Sequence, residues 1–512
     1  MRKSFLVVFV CTIIVALFGC GDEWQRNASH ANVADESIRN GKALAAQYCQ
    51  SCHLLPEPAQ LDAASWEKGV LPHMGPRLGI FAYGFERYPA LANNPHLPRG
   101  FYPDTPVLSF VAWQHIIDYY TATAPDSLAV PAEEVPQTLA QFQVLQPRYQ
   151  SAFPLASFTA FDTVNRQVLV YDMSTEQLMR FDAGLQLKDS VTIKGAVSDL
   201  VQAGTELFAS NMGNINPNDA PLGSVQQISF STTGNAHTLF DSLQRPVALQ
   251  RTDINGDGRA DFVAGSFGFF TGHLSWFEAL EGGGFRKHLI KPLPGAAQIY
   301  VTDDNSDGLP DLWVLFAQGD ESIRRFANLG GGRFKEEVVL RFPAVWGSTS
   351  FQLVDMDGDG DRDIVYTCGD NADYSPILKP FHGVYVFLQE RGKFRQQSFY
   401  HLNGAFKART ADFDRDGDMD IAAISFFADY RLQPAQGFVY LQNRGGWSFG
   451  ATTFAQAALG RWITLDAGDL DGDGWTDLVL GNMAKPGAAS GASVQWERGP
   501  LFLVLRNRGK NQ

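Results

Sequence analysis

One nine-residue pattern, Asp-x-(Asp/Asn)-x-Asp-Gly-x-x-Asp, recurs five times along the chain, starting at Asp253, Asp303, Asp355, Asp412 and Asp469. The spacings are 50, 52, 57 and 57 residues. Repeats of this length build solenoids, propellers or arrays, in which one unit is too small to bury its own apolar face. Every copy follows an apolar run and opens another, as in Asp253-Ile-Asn255-Gly-Asp257-Gly258-Arg-Ala-Asp261-Phe-Val. Each is therefore a loop joining two strands. A further strand such as Leu274-Ser-Trp276-Phe277 comes next, then a Gly turn and a Phe, as at Gly284-Phe285, Gly332-Arg-Phe334 and Gly392-Lys-Phe394. The pattern predicts four strands per unit. Two earlier segments, Phe158 to Ile193 and Ala196 to Leu239, keep the strand rhythm without the Asp ladder, which brings the units to seven. The last unit stops at Asn507-Arg-Gly509, one strand short. Phe142-Gln-Val144-Leu145, just upstream of the first unit, is expected to supply that strand and remove an exposed edge.

The five loops hold 21 of the 55 acidic residues in a chain of net charge −14. That balance leaves no basic face for nucleic acid, and its concentration in short loops asks for cations. Carboxylates at positions one, three, five and nine, with Gly at six for the sharp turn, resemble the first nine residues of an EF-hand loop, and oxygen-only ligands select calcium. The expected ligands are Asp253, Asn255, Asp257 and Asp261; Asp303, Asn305, Asp307 and Asp311; Asp355, Asp357, Asp359 and Asp363; Asp412, Asp414, Asp416 and Asp420; and Asp469, Asp471, Asp473 and Asp477, for up to five Ca²⁺. The unit as a whole resembles FG-GAP or VCBS-type repeats over roughly residues 150–512. The resemblance implies an all-β, seven-bladed propeller, expected over 141–512 behind a linker at 126–140 rich in Pro and Glu.

Residues 49 to 53 read Cys-Gln-Ser-Cys-His. This is the c-type attachment pattern, in which two thiols add to haem vinyl groups and the His ligates iron. A thioredoxin-like pair lacks its βαβ surroundings here, and a zinc site lacks a second Cys pair. The flanks resemble small monohaem cytochromes c over residues 37–125, a small all-α domain. Ser37 to Tyr48 has the apolar spacing of a first helix, Trp113 to Thr123 that of a last one, and Gly41 lets the two cross closely. The resemblance implies one covalent haem c on Cys49 and Cys52, with His53 on the iron and a Met as sixth ligand. Met74 is the expected one, although the family usually places its Met just before the last helix, and His73 and His96 stay open as alternatives.

The N-terminus reads as an export signal: Arg2 and Lys3, an apolar run from Phe5 to Phe18, then Leu17-Phe18-Gly19-Cys20. It resembles a lipoprotein lipobox. That implies a signal peptide over 1–19, a lipid on Cys20, a linker over 20–36, and an extracytoplasmic, membrane-anchored protein in the periplasm or on the cell surface. The acidic Gly21-Asp22-Glu23 resembles a surface-export signal. Cys11, Cys20, Cys49, Cys52 and Cys368 then divide among signal, lipid, haem and one single thiol, with no disulfide framework.

In a four-stranded antiparallel blade the Asp loop and the Gly turn share one face, so the loop between strands two and three lies opposite. Those loops are long in the last three units: Cys368 to His382, Asp429-Tyr430-Arg431, and Lys485 to Trp496. Long loops on a rigid scaffold carry binding. Gln250, Tyr300, Gln352, Arg409 and Asp466 share one register three residues before each ladder, where they either line a central channel or tie blades together. Asp370, His382, Lys407 and Arg409 are the candidate substrate residues. Gly446-Trp-Ser448-Phe-Gly450 has the form of a hydrolase nucleophile elbow, but it stands at a Gly-turn position with no helix to follow. The expected function is electron transfer by an extracytoplasmic, lipid-anchored haem c protein whose propeller binds a small-molecule substrate or a redox partner protein. The alternatives are a quinohaemoprotein-like dehydrogenase, an oxidoreductase using the haem as relay but without a sequence signature for its quinone, and a surface adhesion or carbohydrate-binding module.

Overall fold

The computed structural model describes residues 26–509 except 92, 231–234, 373 and 485–495. The export signal, Cys11, Cys20, Asp373 and most of the Lys485 to Trp496 loop lie outside the described residues. No helix among those described is long and apolar enough to cross a membrane.

The N-terminal part is helical. Helix α1 (Asp35–Tyr48) opens with Asp35 and Glu36, carboxylates that complement the positive end of the helix dipole. It therefore starts two residues ahead of the predicted Ser37. A four-residue helix α2 (Leu71–Met74) follows, then α3 (Phe110–Thr123). The Ser109 side chain accepts the Ala112 N–H, and this cap starts α3 three residues ahead of the predicted Trp113. The two long helices cross at Gly41, where a Cβ would stand 1.8 Å from the His115 carbonyl oxygen, so any larger residue there drives them apart. Ile38, Ala45, Trp66, Trp113 and Ile116 form the fully buried centre of this unit.

Seven four-stranded antiparallel sheets follow, each a meander running from the axis outward. Blade 1 starts with the inner strand Ala156–Asp162, blade 2 with Val197–Ala203, blade 3 with Pro246–Thr252, blade 4 with Ala296–Thr302, blade 5 with Ser348–Val354, blade 6 with Ala405–Ala411 and blade 7 with Trp462–Gly468. Each inner strand touches the next, and blade 7 returns to blade 1, so the ring is closed. Blade 7 takes its outer strand from the opposite end of the chain: Phe142–Leu145 pairs with Phe502–Asn507, in register Phe142 to Asn507. This leaves the seventh sheet with four strands like the others and closes the propeller by hydrogen-bonded pairing of its two ends. The second strands are buried along their whole length in blades 3 to 7, because each is covered by a neighbouring blade on both faces. The stretch before Phe142 has no regular element, yet it is held along blade 6, with the Leu139 N–H donating to Thr453 O and the Thr453 N–H to Pro136 O.

Candidate functional site

The Cys-x-x-Cys-His segment leaves α1 at its C-terminus, where Cys49 caps the helix and a single turn runs to Ser51. Cys49 is half-buried and Cys52 exposed, and the two thiols stand close enough to interact electrostatically. Burial, and then the neighbouring Cys52, push the Cys49 thiol up to about 11. A thiol held protonated is a poor redox nucleophile. His53 Nδ1 lies 2.9 Å from the Leu54 carbonyl, which sets the tautomer with the proton on Nδ1 and leaves the Nε2 lone pair free to ligate. Met74, the last residue of α2, packs on the same core as Cys49, Tyr48 and Leu55. The other sixth-ligand candidates stand elsewhere. His73 Nδ1 contacts the Gly69 carbonyl at 2.7 Å and its ring stacks on Tyr374 of blade 5, while His96 is exposed.

That stack is one of several contacts seating the helical unit on the propeller face opposite the Asp loops. Gly69 presses so closely on the blade 5 loop that a Cβ would come within 2.0 Å of the Tyr374 carbonyl oxygen. The Arg77 guanidinium lies over Phe101 at 4.0 Å and over Phe270 of blade 3 at 4.7 Å. Burial pulls this arginine down from its usual value, and Cys52 is among the groups opposing that shift, so the second thiol lies near the seam. Asn94 donates to Asp219 of blade 2 at 3.0 Å, and Asp219 also accepts the N–H groups of Phe269, Phe270 and Thr271. Val345 and Ile377 complete the apolar part of the contact.

On the opposite face, the Asp loops share one construction. The first Asp accepts the N–H of the position-six Gly in all five: Gly258, Gly308, Gly360, Gly417 and Gly474. These glycines have φ between +81° and +98°, a conformation that side chains with a Cβ resist. The position-nine residues Asp261, Asp311, Asp363, Asp420 and Asp477 are at most 1% exposed. Each accepts an N–H from the third strand of its blade at 2.7 to 2.8 Å, from Ala279, Asn328, Gln389, Asn443 and Asn507. The ninth Asp is thus a staple between loop and sheet, and except at Asp311, whose Oδ2 accepts from both the Asp304 N–H and Arg325, each oxygen retains a second lone pair for a cation.

The loops divide at position three. Where it is Asp, carboxylate oxygens converge within 4.8 Å: Asp355, Asp357 and Asp359 in blade 5, Asp412, Asp414 and Asp420 in blade 6, and Asp469, Asp471 and Asp477 in blade 7. Where it is Asn, the amide donates inside the loop, Asn255 to Asp257 at 3.0 Å and Asn305 to Asp307 at 2.8 Å. Arginines add to this, Arg259 on Asp257 and Arg325 on Asp304 and Asp311. Blade 7 has an arginine too, Arg506 at 3.2 Å from Asp471. Burial, before any other cause, pushes Asp420 and Asp477 up to about 6.

Along the axis, polar side chains of one inner strand capture the backbone of the next. A third-position acceptor takes the fourth-position N–H of the following blade: Asp199 from Leu249 at 2.9 Å, and Gln298 from Phe351 at 3.1 Å. A fifth-position acceptor takes the sixth-position N–H: Gln352 from Thr410 at 3.1 Å, and Asp466 from Phe161 at 3.1 Å. Arg409 joins blades 6 and 7 through Asp466 at 3.3 Å, and Tyr300 donates to the Phe351 carbonyl at 3.2 Å.

Residues 303–366 match the FG-GAP-like repeat and residues 461–494 the FG-GAP repeat. The propeller carries FG-GAP repeats. A comparison with curated protein sequences finds no match. Among solved structures, the chain is similar to one titled "Streptogramin B lyase structure", at 12% identity over 71% of this chain and 97% of that one, with a TM-score of 0.46. It is also similar to the "Crystal Structure of the N-terminal Domain of Nup159", at 11% identity over 74% and 99%, with a TM-score of 0.43.

The FG-GAP propeller separates the four candidate substrate residues. Lys407 and Arg409 are on the inner strand of blade 6. Asp370 and His382 lie in the blade 5 loop facing the helical unit, where the Lys379 ammonium donates to Asn371 Oδ1 at 2.7 Å and both His382 ring nitrogens are buried without a hydrogen-bond partner among the described residues. Beside that loop, Asn371, Ile377, Phe427, Tyr430, Arg431 and Arg461 help to line a cavity of about 270 Å³. Ser448 sits in the turn before the last strand of blade 6, its N–H bonded to Gly445 O, with a strand rather than a helix after it. Asp199 and Gln298 were not singled out from sequence, although their third-position register was readable once each inner strand was aligned on its ladder.

Proposed function

We propose that the chain is an electron-transfer protein in which the helical unit carries one covalent haem c and the calcium-stiffened FG-GAP propeller holds a substrate or redox partner against it. The observation that supports this best is the donor set at the end of α1: two thiols, of which burial pushes that of Cys49 up, a histidine whose Nδ1 is bonded to the Leu54 carbonyl, and Met74 on the same core. Those residues fit a haem c: Cys49 and Cys52 would be its thioether partners, and His53 Nε2 and Met74 would ligate its iron. When bound, the haem supplies a reversible one-electron store. The chain's own part is to position its edge, and the seam at Arg77, Phe101 and Phe270 puts the Cys52 side of the helical unit against the propeller loops. Calcium in the converging loops of blades 5, 6 and 7, with weaker sites in blades 3 and 4, neutralises carboxylates whose mutual repulsion otherwise strains the strand ends. The protein then works outside the cytoplasm, where haem c is attached, tethered by lipid on Cys20.

The test is the alkaline pyridine haemochrome spectrum of protein made with a cytochrome c maturation system. The proposal expects one covalent haem per chain and none in the Cys49→Ala/Cys52→Ala variant. An adhesion or carbohydrate-capture platform uses the same propeller without haem, and the absence of a haemochrome favours it. A quinone in the cofactor extract turns the proposal toward a dehydrogenase.

A further inference from the structure

The cavity of about 270 Å³ beside the blade 5 loop is built by three blades. Asn371 and Ile377 come from the blade 5 loop, Phe427, Tyr430 and Arg431 from the loop between the second and third strands of blade 6, and Arg461 from the residue before the inner strand of blade 7. Its walls are fixed by bonds of their own. The Tyr430 hydroxyl donates to the Ser425 carbonyl at 3.0 Å, its N–H donates to Ala428 O at 2.8 Å, and its ring meets Trp496 edge-on at 4.5 Å. Asn371 is held at both ends of its amide, donating to Ile377 O at 2.6 Å and accepting from the Lys379 ammonium at 2.7 Å. Walls already in place spare a ligand the entropy of ordering them.

Among the described residues, the charged groups of this lining are two guanidiniums and one carboxylate. Arg461 is 4% exposed; its Nε donates to the Phe426 carbonyl at 2.9 Å, and its guanidinium lies over the Phe426 ring at 3.7 Å and the Phe427 ring at 5.3 Å. A carbonyl and two ring faces thus set its position. Arg431 is exposed, and its guanidinium takes no hydrogen bond or ion pair among the described residues. The carboxylate, Asp429, turns Oδ1 to the Arg431 and Leu432 N–H groups, each at 3.2 Å. The lining therefore carries one net positive charge between apolar and aromatic walls. For the fold alone this is a poor arrangement, because the open space leaves Ile377 and Phe427 without contacts on one side and a guanidinium is held beside it out of bulk water. A monoanion with an apolar body corrects both. Size narrows the class further: about 270 Å³ lies just below the usual range of small-molecule pockets, which begins at roughly 300 Å³, and suits a single ring rather than a nucleotide or a sugar chain.

We propose that this cavity binds a small organic carboxylate with a ring-sized apolar body, its carboxylate met by Arg431 and Arg461 and its body lying against Ile377, Phe427 and Tyr430. Ile377 also packs on the core of the helical unit, so the ligand sits one side chain from that unit. The site uses propeller residues alone and does not rest on the haem reading.

Calorimetric titration and thermal melting of the intact chain with benzoate, benzamide and acetate test the site. Benzoate should bind and raise the melting temperature. Benzamide keeps the shape without the charge and acetate the charge without the ring, and each should bind at least about tenfold more weakly. Arg431→Gln changes an exposed side chain, so it should melt like the wild type and yet weaken benzoate binding about tenfold. Ala428→Phe fills the space from its own wall and should abolish the response. No benzoate binding at millimolar concentration, equal binding of benzamide or acetate, or an unchanged benzoate affinity in Arg431→Gln each overturns the assignment. So does an unchanged affinity in folded Ala428→Phe, which places the binding elsewhere; if that variant does not fold, Arg431→Gln decides alone.

Discussion

At the scale of single residues, the account depends on which side chains have their bonding capacity left over. His53 and His73 each spend Nδ1 on a carbonyl, that of Leu54 and that of Gly69, but the His73 ring is stacked on Tyr374 of blade 5, whereas Met74 packs on the core that holds Cys49. That placement makes Met74 the sixth ligand of the proposal. Met74→Ala should keep the covalent haem, lose the weak long-wavelength band of a Met–iron bond and lower the reduction potential, since methionine raises it. An unchanged band in Met74→Ala assigns the sixth position to another residue. His273 gives a second residue-scale expectation. Burial, then the Lys287 ammonium 2.7 Å from its Nε2, pulls its pKa down from 6.5 to about 4. As pH falls from about 6.5 to about 4, the unfolded chain takes up a proton that the folded chain refuses, so this group costs the fold stability across that window and nothing above it. Denaturant midpoints should fall on acidification in the wild type and fall less in His273→Gln; equal slopes would refute the assignment. The Cys-x-x-Cys-His motif and Gly41 were legible in the sequence because their requirements are local or absolute. The stack of His73 on Tyr374 was not, since two loops separated by some three hundred residues carry no shared pattern.

At the scale of the element, the nine-residue loop is two devices in one. Its first and ninth Asp build a turn and staple it to the third strand, which accounts for the pattern without any ion; its third and fifth positions decide whether carboxylates converge. The strand order and the closing strand Phe142–Leu145 followed from the phase of these loops, because a blade one strand short leaves an edge that some other segment must cover. The division between blades 3 and 4 and blades 5 to 7 was present in the sequence as Asn255 and Asn305, but its weight became visible only with Arg259 and Arg325 in place. Ions that bind the folded state alone stabilise it by about 2.7 kcal/mol per site at a hundredfold excess over Kd. Chelation should therefore lower the melting temperature of the propeller strongly. Asp357→Asn, which converts the blade 5 loop to the form found in blades 3 and 4, should reproduce part of that loss in calcium and add little to it in chelator. Identical melting with and without chelator after extensive dialysis would show the ladders to be ion-free turns.

At the scale of the whole molecule, the helical unit and the FG-GAP propeller meet on the face away from the Asp loops, so the Cys-x-x-Cys-His segment and the Asp loops are spatially separate. The haem absorbance should survive chelation that melts the β signal. Cys20→Ser should release the protein from the membrane fraction with both parts folded, and retention there under high salt would contradict the lipid anchor. The central claim is one-electron transfer by a haem fixed on Cys49, Cys52 and His53, and spectroelectrochemical titration of the intact chain measures it directly. The account predicts a single c-type absorbance change following a one-electron Nernst curve of about 59 mV per decade, absent from Cys49→Ala/Cys52→Ala; a wild-type chain with no redox-active absorbance, or a curve that persists in the double variant, would contradict it.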